Sequence, residues 1–195
     1  MRKIIAAEFL TLDGVMEAPG SGDTTLPGKR GWSEPFMSEE IGKFILEQMD
    51  ASDALLLGRN TYQDFAVFWS AMPEDDPFAK KMNDQTKFVV STSLKKAEWK
   101  NSTLISGNVA EEISKLKQQP GKNISVVGSG TLVSSLMQLD LIDEIQIMLC
   151  PVVLGVGKRL FKESSDTKSL RLVEAKIFTS GMIVLSYQPA SKESK

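Results

Sequence analysis

Four strand ends carry the distinctive residues, and three of them have residue types that hold anions. Ile124-Ser125-Val126-Val127 runs into Gly128-Ser129-Gly130, and Leu132, Val133, Leu136 and Leu139 follow at helical spacing. A strand, a glycine turn and a helix start leave backbone N–H groups pointing outward, where the helix dipole adds partial positive charge. A nucleotide phosphate suits such a turn. The fingerprint G-x-G-x-x-G would need glycine at 133, where Val133 stands, so the spacing equally serves a plain tight βα turn. A second corner is Gly58-Arg59, after Ala54-Leu55-Leu56-Leu57 and before Asn60 and Thr61 at a helix start. A third is Ser91-Thr92-Ser93 after Lys87-Phe88-Val89-Val90, with Lys95 and Lys96 close by. The fourth is the Asp13-Gly14 turn after the first strand.

Two absences narrow the chemistry. The 195 residues include no histidine, which removes Ser-His triads, imidazole acid–base catalysis and His metal sites. The one cysteine, Cys150, excludes an internal disulfide and a cysteine zinc cluster, and it fits a reducing cytoplasm. No metal site is expected. Carboxylates, hydroxyls, Lys/Arg, backbone groups or a borrowed cofactor must do the work. A net charge of −2 argues against nucleic acid as a partner, and no apolar run is long enough to span a membrane. The basic, apolar start is short and interrupted by Glu8, so it reads as a strand and not a signal peptide.

The elements that must position these corners alternate. Strands are expected at Lys3 to Phe9, Ala54 to Leu57, Lys87 to Val90, Thr103 to Ile105 and Ile124 to Val127. Helices are expected at Met37 to Met49, from Asn60 through Trp69, at Asp76 to Met82, at Val109 to Lys117, and after Gly130. Ser38 is the expected cap of the first helix, with Glu39 and Glu40 complementing its dipole. Tyr62 and Trp69 are expected in the core. Glu17 to Trp32 is a long Gly/Pro/Ser/Thr stretch, read as a lid in which Met16 and Trp32 cover a flat ligand. After Leu139 the pattern changes. Ile142 to Leu149 alternates like an antiparallel strand, and Leu170 to Phe178 pairs with Met182 to Tyr187 across Thr179-Ser180-Gly181. The fold class is therefore α/β: one domain over 1–188 and a polar tail over 189–195. A mainly parallel sheet carries an antiparallel C-terminal hairpin, with helices on both faces in three layers. Ligands of such sheets collect at the carboxyl ends of the strands, where all four corners fall. Several anion-favouring corners on one edge suit an extended, polyanionic ligand such as a dinucleotide.

The motifs, taken in order, resemble a known family. Thr11-Leu12-Asp13-Gly14 resembles its S-L-D-G hallmark, and Gly58-Arg59-Asn60-Thr61-Tyr62 resembles the G-R-x-T-[YW] motif of dihydrofolate reductases. Lys87 to Leu94 and Val126 to Gly130 resemble their Ser/Thr corner and late glycine turn. Leu141-Ile142-Asp143-Glu144-Ile145 and Pro151 to Phe161 are similar to the C-terminal reductase domain of the bifunctional riboflavin-biosynthesis deaminase/reductase. The chain is identified as a stand-alone, dihydrofolate reductase-like member of that branch, over Lys3 to Tyr187.

The resemblance implies a cytoplasmic reductase using NADPH on a small pyrimidine- or pterin-type heterocycle. Its model would be 5-amino-6-(5-phosphoribosylamino)uracil reductase. Gly58, Arg59 and Thr61 would meet phosphates, Arg59 being the candidate for the 2′-phosphate. Ser91, Thr92 and Ser93 would line the adenosine end, and Gly128, Ser129, Gly130 and Thr131 would hold the pyrophosphate. Ala7, Asp13, Gly14 and Val15 would lie near the nicotinamide. Glu40 matches the catalytic carboxylate of dihydrofolate reductases, and Trp32 would stack on substrate. Relatives imply a homodimer. Two other readings stay open. A true dihydrofolate reductase lacks support, because the Trp32 loop has no W-x-x-P-x-D run. The other is a non-catalytic dinucleotide- or metabolite-binding protein.

Overall fold

The apolar runs assemble into one eight-stranded sheet. The computed structural model describes residues 1–20, 22–23, 25–161 and 167–190; the expected tail falls outside it from 191 onward, and the lid stretch at 21 and 24. In chain order the elements are β1 (Ile4–Thr11), α1 (Glu39–Asp50), β2 (Ser52–Gly58), α2 (Arg59–Ala71) and α3 (Pro77–Asp84). Then come β3 (Thr86–Val90), β4 (Ser102–Ile105), α4 (Val109–Gln118), β5 (Asn123–Val127), α5 (Gly130–Gln138), β6 (Glu144–Cys150), β7 (Leu170–Ile177) and β8 (Ile183–Pro189). A 3-10 turn, Glu34–Phe36, precedes α1.

The sheet order is β4-β3-β2-β5-β1-β6-β8-β7. Strands from β4 through β6 are parallel, and β8 is antiparallel to both its neighbours. The sequence pattern of β6 suggests an antiparallel strand, and it is one only toward β8. Toward β1 it is parallel, from Ile5↔Glu144 to Thr11↔Cys150. Because β6 is covered on both faces, Gln146 and Met148 are buried along with Ile145 and Ile147.

The direction of crossing reverses after β4, so β5 inserts between β1 and β2. One face packs α4 and α5 through Ile113, Leu116, Leu132, Val133 and Leu136 onto Ile4, Ala6 and Val126. The opposite face carries two separate apolar clusters. One joins Ile41 and Phe44 of α1 to Met148 and Val184. The other joins Tyr62 and Met82 to Leu55, Leu57, Val89 and Trp99. Tyr62 is thus core, and its hydroxyl accepts the Trp99 N–H at 2.8 Å. Trp69 is only half-buried.

Lys87, at the start of the expected Lys87 to Val90 strand, is fully buried. Its ammonium donates to the carbonyls of Asn83, Gln85 and Lys100 and sits 4.2 Å from the centre of the Trp99 ring. Burial, followed by the nearby Lys100 charge, pulls its pKa down to about 8, so the group still holds its proton and these acceptors at neutral pH.

Candidate functional site

Three of the five helices begin with a side-chain cap. Ser38 accepts the Ile41 N–H, Asp76 the Ala79 N–H, and Asn108 the N–H groups of Ala110 and Glu111. The other two, α2 and α5, have no side-chain cap. They start at Gly58 and Ser129, and these residues touch: the Ser129 hydroxyl accepts the Gly58 N–H at 2.8 Å. Two helix N-termini with no capping acceptor of their own therefore meet on one lip of the sheet, where their dipoles add.

The turn between β5 and α5 is built for close approach. Gly128 and Ser129 are both left-handed, at φ 63° and 64°. A side chain on Gly128 would press on Thr61 Cγ2 at 3.0 Å, and one on Gly130 would run into the Met16 sulfur. For Ser129 the left-handed conformation costs about 1–2 kcal/mol, against which its bond to Gly58 is set.

These turns line a cavity of about 1120 Å³ that lies between the two apolar clusters and wraps over the strand ends. Of the residues singled out in the sequence, Ala7, Gly58, Arg59, Thr61, Gly128, Ser129, Gly130 and Thr131 line it. Arg59 donates from Nη1 to Ser93 Oγ at 2.9 Å and from Nε to Asn60 Oδ1 at 3.2 Å. Ser91 Oγ in turn accepts the N–H groups of Ser93 and Leu94. The second and third corners are thereby one unit. Ser91, Thr92 and Ser93 stand behind Arg59 and do not themselves line the cavity.

Asp13, Gly14, Val15, Trp32 and Glu40 are also absent from the cavity wall. Asp13 is a clamp: its carboxylate accepts from Thr11 Oγ1 and from the N–H groups of Leu154 and Gly155. The Thr11 bond leads the effects that hold its pKa at about 2. Gly14 closes the turn by donating to the Thr11 carbonyl, and Val15 is fully buried. Trp32 packs in the α1 cluster and donates its indole N–H to the Glu17 carbonyl, so it anchors the loop and does not line the cavity. Met16 does line the cavity, as do Glu17–Gly20, Gly22, Asp23 and Thr25. Glu40 is exposed, with Thr179 Oγ1 at 3.4 Å; the residues of α1 that face the cavity are Phe44, Ile45, Gln48 and Met49.

Glu8 is the acid that sequence reasoning passed over. It is 3% exposed, lines the cavity and leaves Oε1 without a partner. Burial pushes its carboxyl well above the ordinary range, opposed by a hydrogen bond from the Gly128 N–H. A charged residue inside an apolar strand was the available signal. Asp64 of α2 also lines the cavity, its pKa raised by burial and then by Asp23. Trp69 lines the cavity too, with a buried and unpartnered indole N–H. Among the described residues no group of three or more His, Cys, Asp or Glu converges as a metal would require, and no helix is long and apolar enough to cross a membrane.

The family model of the RibD C-terminal domain matches residues 2–184. A solved structure from Shewanella sp. PV-4, named for riboflavin biosynthesis, is 22% identical, with a TM-score of 0.74 over 96% of this chain and 99% of that one. The Thermotoga maritima diaminohydroxyphosphoribosylaminopyrimidine deaminase/5-amino-6-(5-phosphoribosylamino)uracil reductase gives a TM-score of 0.66 at 13% identity, over 97% of this chain and 57% of that one. Dihydrofolate reductase from Enterococcus faecalis, solved with NADP(H), gives 0.58 at 16% identity, over 96% of each chain. The fold is dihydrofolate reductase-like.

Proposed function

The chain belongs to the RibD C-terminal domain family, and from that premise we propose that it is an NADPH-dependent reductase of a small pyrimidine- or pterin-type heterocycle. Family and fold neighbours support a reductase of riboflavin-biosynthesis type. The observation that carries the cofactor assignment is the pair of helix N-termini without side-chain caps, α2 and α5, joined by Ser129 and Gly58 beside Arg59. One uncapped N-terminus takes one phosphate. Two together, with an exposed guanidinium next to them, suit a pyrophosphate and a third phosphate.

The residues present fit the group. Gly128 to Thr131 and the start of α2 would hold the pyrophosphate. Arg59 would take the 2′-phosphate through its planar fork of donors, with Ser93 steadying it. The bound nicotinamide would supply the hydride. The chain's own tasks are then to orient, to keep water out and to provide a proton. Met16, Glu17–Gly20, Gly22, Asp23 and Thr25 wall the cavity and exclude water. Glu8, buried and holding its proton above the ordinary carboxyl range, is the acid closest in character to a donor.

A homodimer in the cytoplasm belongs to the same proposal. The edge strand β7 exposes Leu172, Val173 and Ile177, a surface suited to a second copy; light scattering tests it. The cofactor reading is tested by titrating the pure protein with NADPH and following nicotinamide fluorescence. Saturable binding, and cofactor oxidation with a heterocycle of the proposed class, are expected. Absence of binding at millimolar NADPH would overturn it.

A further inference from the structure

We propose that the substrate end of the cavity takes an uncharged, flat ring bearing a hydrogen-bond acceptor, and not a sugar phosphate. The proposal rests on assigning the other end, at Gly58, Arg59 and Ser129, to the dinucleotide. Between α1 and α2 the wall consists of Phe44, Met49, Phe65, Phe68, Trp69 and Met72. Phe68 and Trp69 are edge-on at 4.9 Å, and Phe65 lies edge-on to Trp69 at 6.3 Å. Such walls grip planar rings by apolar and aromatic contact.

The hydrogen-bond donors on this side, Gln48, Gln146 and Trp69, are uncharged. Gln146 donates to Gln48 at 3.1 Å, and both line the cavity. The Trp69 indole N–H is buried with no partner. A buried donor left unpaired is costly; a small turn of the half-buried Trp69 ring toward the cavity would bring its N–H to a ring carbonyl or ring nitrogen and remove that cost.

A phosphate finds no counter-ion there. The cations lining the cavity among the described residues are Arg59, Lys158 and Arg159. Arg59 stands at the cofactor corner, Lys158 is paired with Glu17, and Arg159 donates to the Asp13 carbonyl. Lys158 and Arg159 belong to neither helix, and Arg59 is the first residue of α2, more than a turn before the aromatic wall begins at Phe65. The charges on that side are instead acidic, including Asp23, Asp64 and Asp76. A phosphate dianion would face like charges without compensation. A substrate bearing 5-phosphoribosyl, as the Thermotoga enzyme's name specifies, does not suit this pocket.

The test uses ¹⁵N-labelled protein, with and without NADP⁺. Lumazine, uridine and uridine 5′-monophosphate are titrated while the Trp69 indole N–H resonance, assigned with Trp69→Phe, is followed. Lumazine is expected to shift that resonance, and Trp69→Phe to weaken lumazine binding by roughly threefold to tenfold, the worth of one neutral hydrogen bond. Uridine is expected to bind at least about tenfold tighter than its monophosphate, a preference of about 1.4 kcal/mol. Asp64→Lys, which replaces a cavity-lining acid of α2 with a cation, should narrow or invert that preference. Tighter binding of the monophosphate to the unaltered protein, or lumazine leaving the Trp69 resonance unmoved, overturns the proposal. Failure of NADP⁺ to bind is read from the Ser129 to Thr131 amides, and it counts against the cofactor reading alone, because the ring titrations are repeated without cofactor.

Discussion

The Ser129 hydroxyl accepts the Gly58 N–H at 2.8 Å, and through this bond the turn after β5 holds the turn after β2. Ser129 is N-cap of α5 by position, yet it satisfies the neighbouring helix start instead of its own. The strain of its left-handed backbone and the benefit of its hydroxyl are of similar size. Ser129→Ala keeps the strain and orphans the Gly58 N–H, so it should cost about 1–3 kcal/mol in urea unfolding. Ser129→Gly relieves the strain and should cost less than Ser129→Ala. Both should weaken NADPH binding, since both loosen the junction of the two N-termini.

Arg59 offers a test of cofactor choice. Its guanidinium is exposed and bonded only to neutral oxygens of Ser93 and Asn60 among the described residues. Arg59→Ala should raise the Kd for NADPH by roughly 10- to 100-fold, the range expected for a charge-assisted hydrogen bond. The Kd for NADH, which has no 2′-phosphate, should barely move. Fluorescence titration with both cofactors reads the difference.

Glu8 should make stability depend on pH. Its folded pKa is raised above the ordinary 4.5 by burial, so folding takes up a proton between the two values. Its contribution is fully present below about pH 4.5 and is lost as pH rises through the folded pKa. Glu8→Gln keeps the shape and the Gly128 bond without the charge. Thermal unfolding should show the variant gaining on the unaltered protein as pH rises above about 5; melting curves that stay parallel as pH rises would count against a buried, proton-holding Glu8.

Asp13 behaves in the opposite sense. Its folded pKa of about 2 lies below the ordinary 3.8, so the clamp to Leu154 and Gly155 operates above pH 3.8 and is lost as pH falls through about 2. Asp13→Asn should loosen the 151–161 segment at neutral pH. Limited proteolysis within that segment should be faster for the variant.

Cys150 is fully buried, and burial pushes its thiol up to about 12. The reactive species is the thiolate. Ellman's reagent should therefore leave the native chain unmodified and titrate one thiol per chain in guanidinium chloride.

Much of this fold was legible because apolar runs and turn residues are local signals. Ser38 caps α1 as its position promised, and the late glycine turn lies where the apolar strand stops. What stayed hidden depends on partners far away in sequence. The parallel pairing of β6 with β1 is a matter of sheet order, which no pattern inside β6 encodes. Trp69 reads as core by helical spacing, but the gap between two apolar clusters leaves its indole at a cavity wall. Trp32 and Met16 look alike as bulky loop residues, and only the Glu17 carbonyl decides which of them turns inward. Glu8 was visible as an acid in an apolar strand, but its burial follows from β5 and β6 closing on both sides of β1.

The position of β5 has a consequence for synthesis. β1 and β2 each bond to β5 and not to each other. The N-terminal strand must wait until residues 123–127 have been made before it can join the β2-β3-β4 half. The first two-thirds of a growing chain therefore hold two unjoined sheet edges, and pairings of such long sequence separation form slowly. The anion corner after β2 also waits, because Ser129 arrives with the same late segment. A nascent chain shorter than this should neither retain the cofactor nor resist proteases, and both properties should appear together once α5 has emerged from the ribosome.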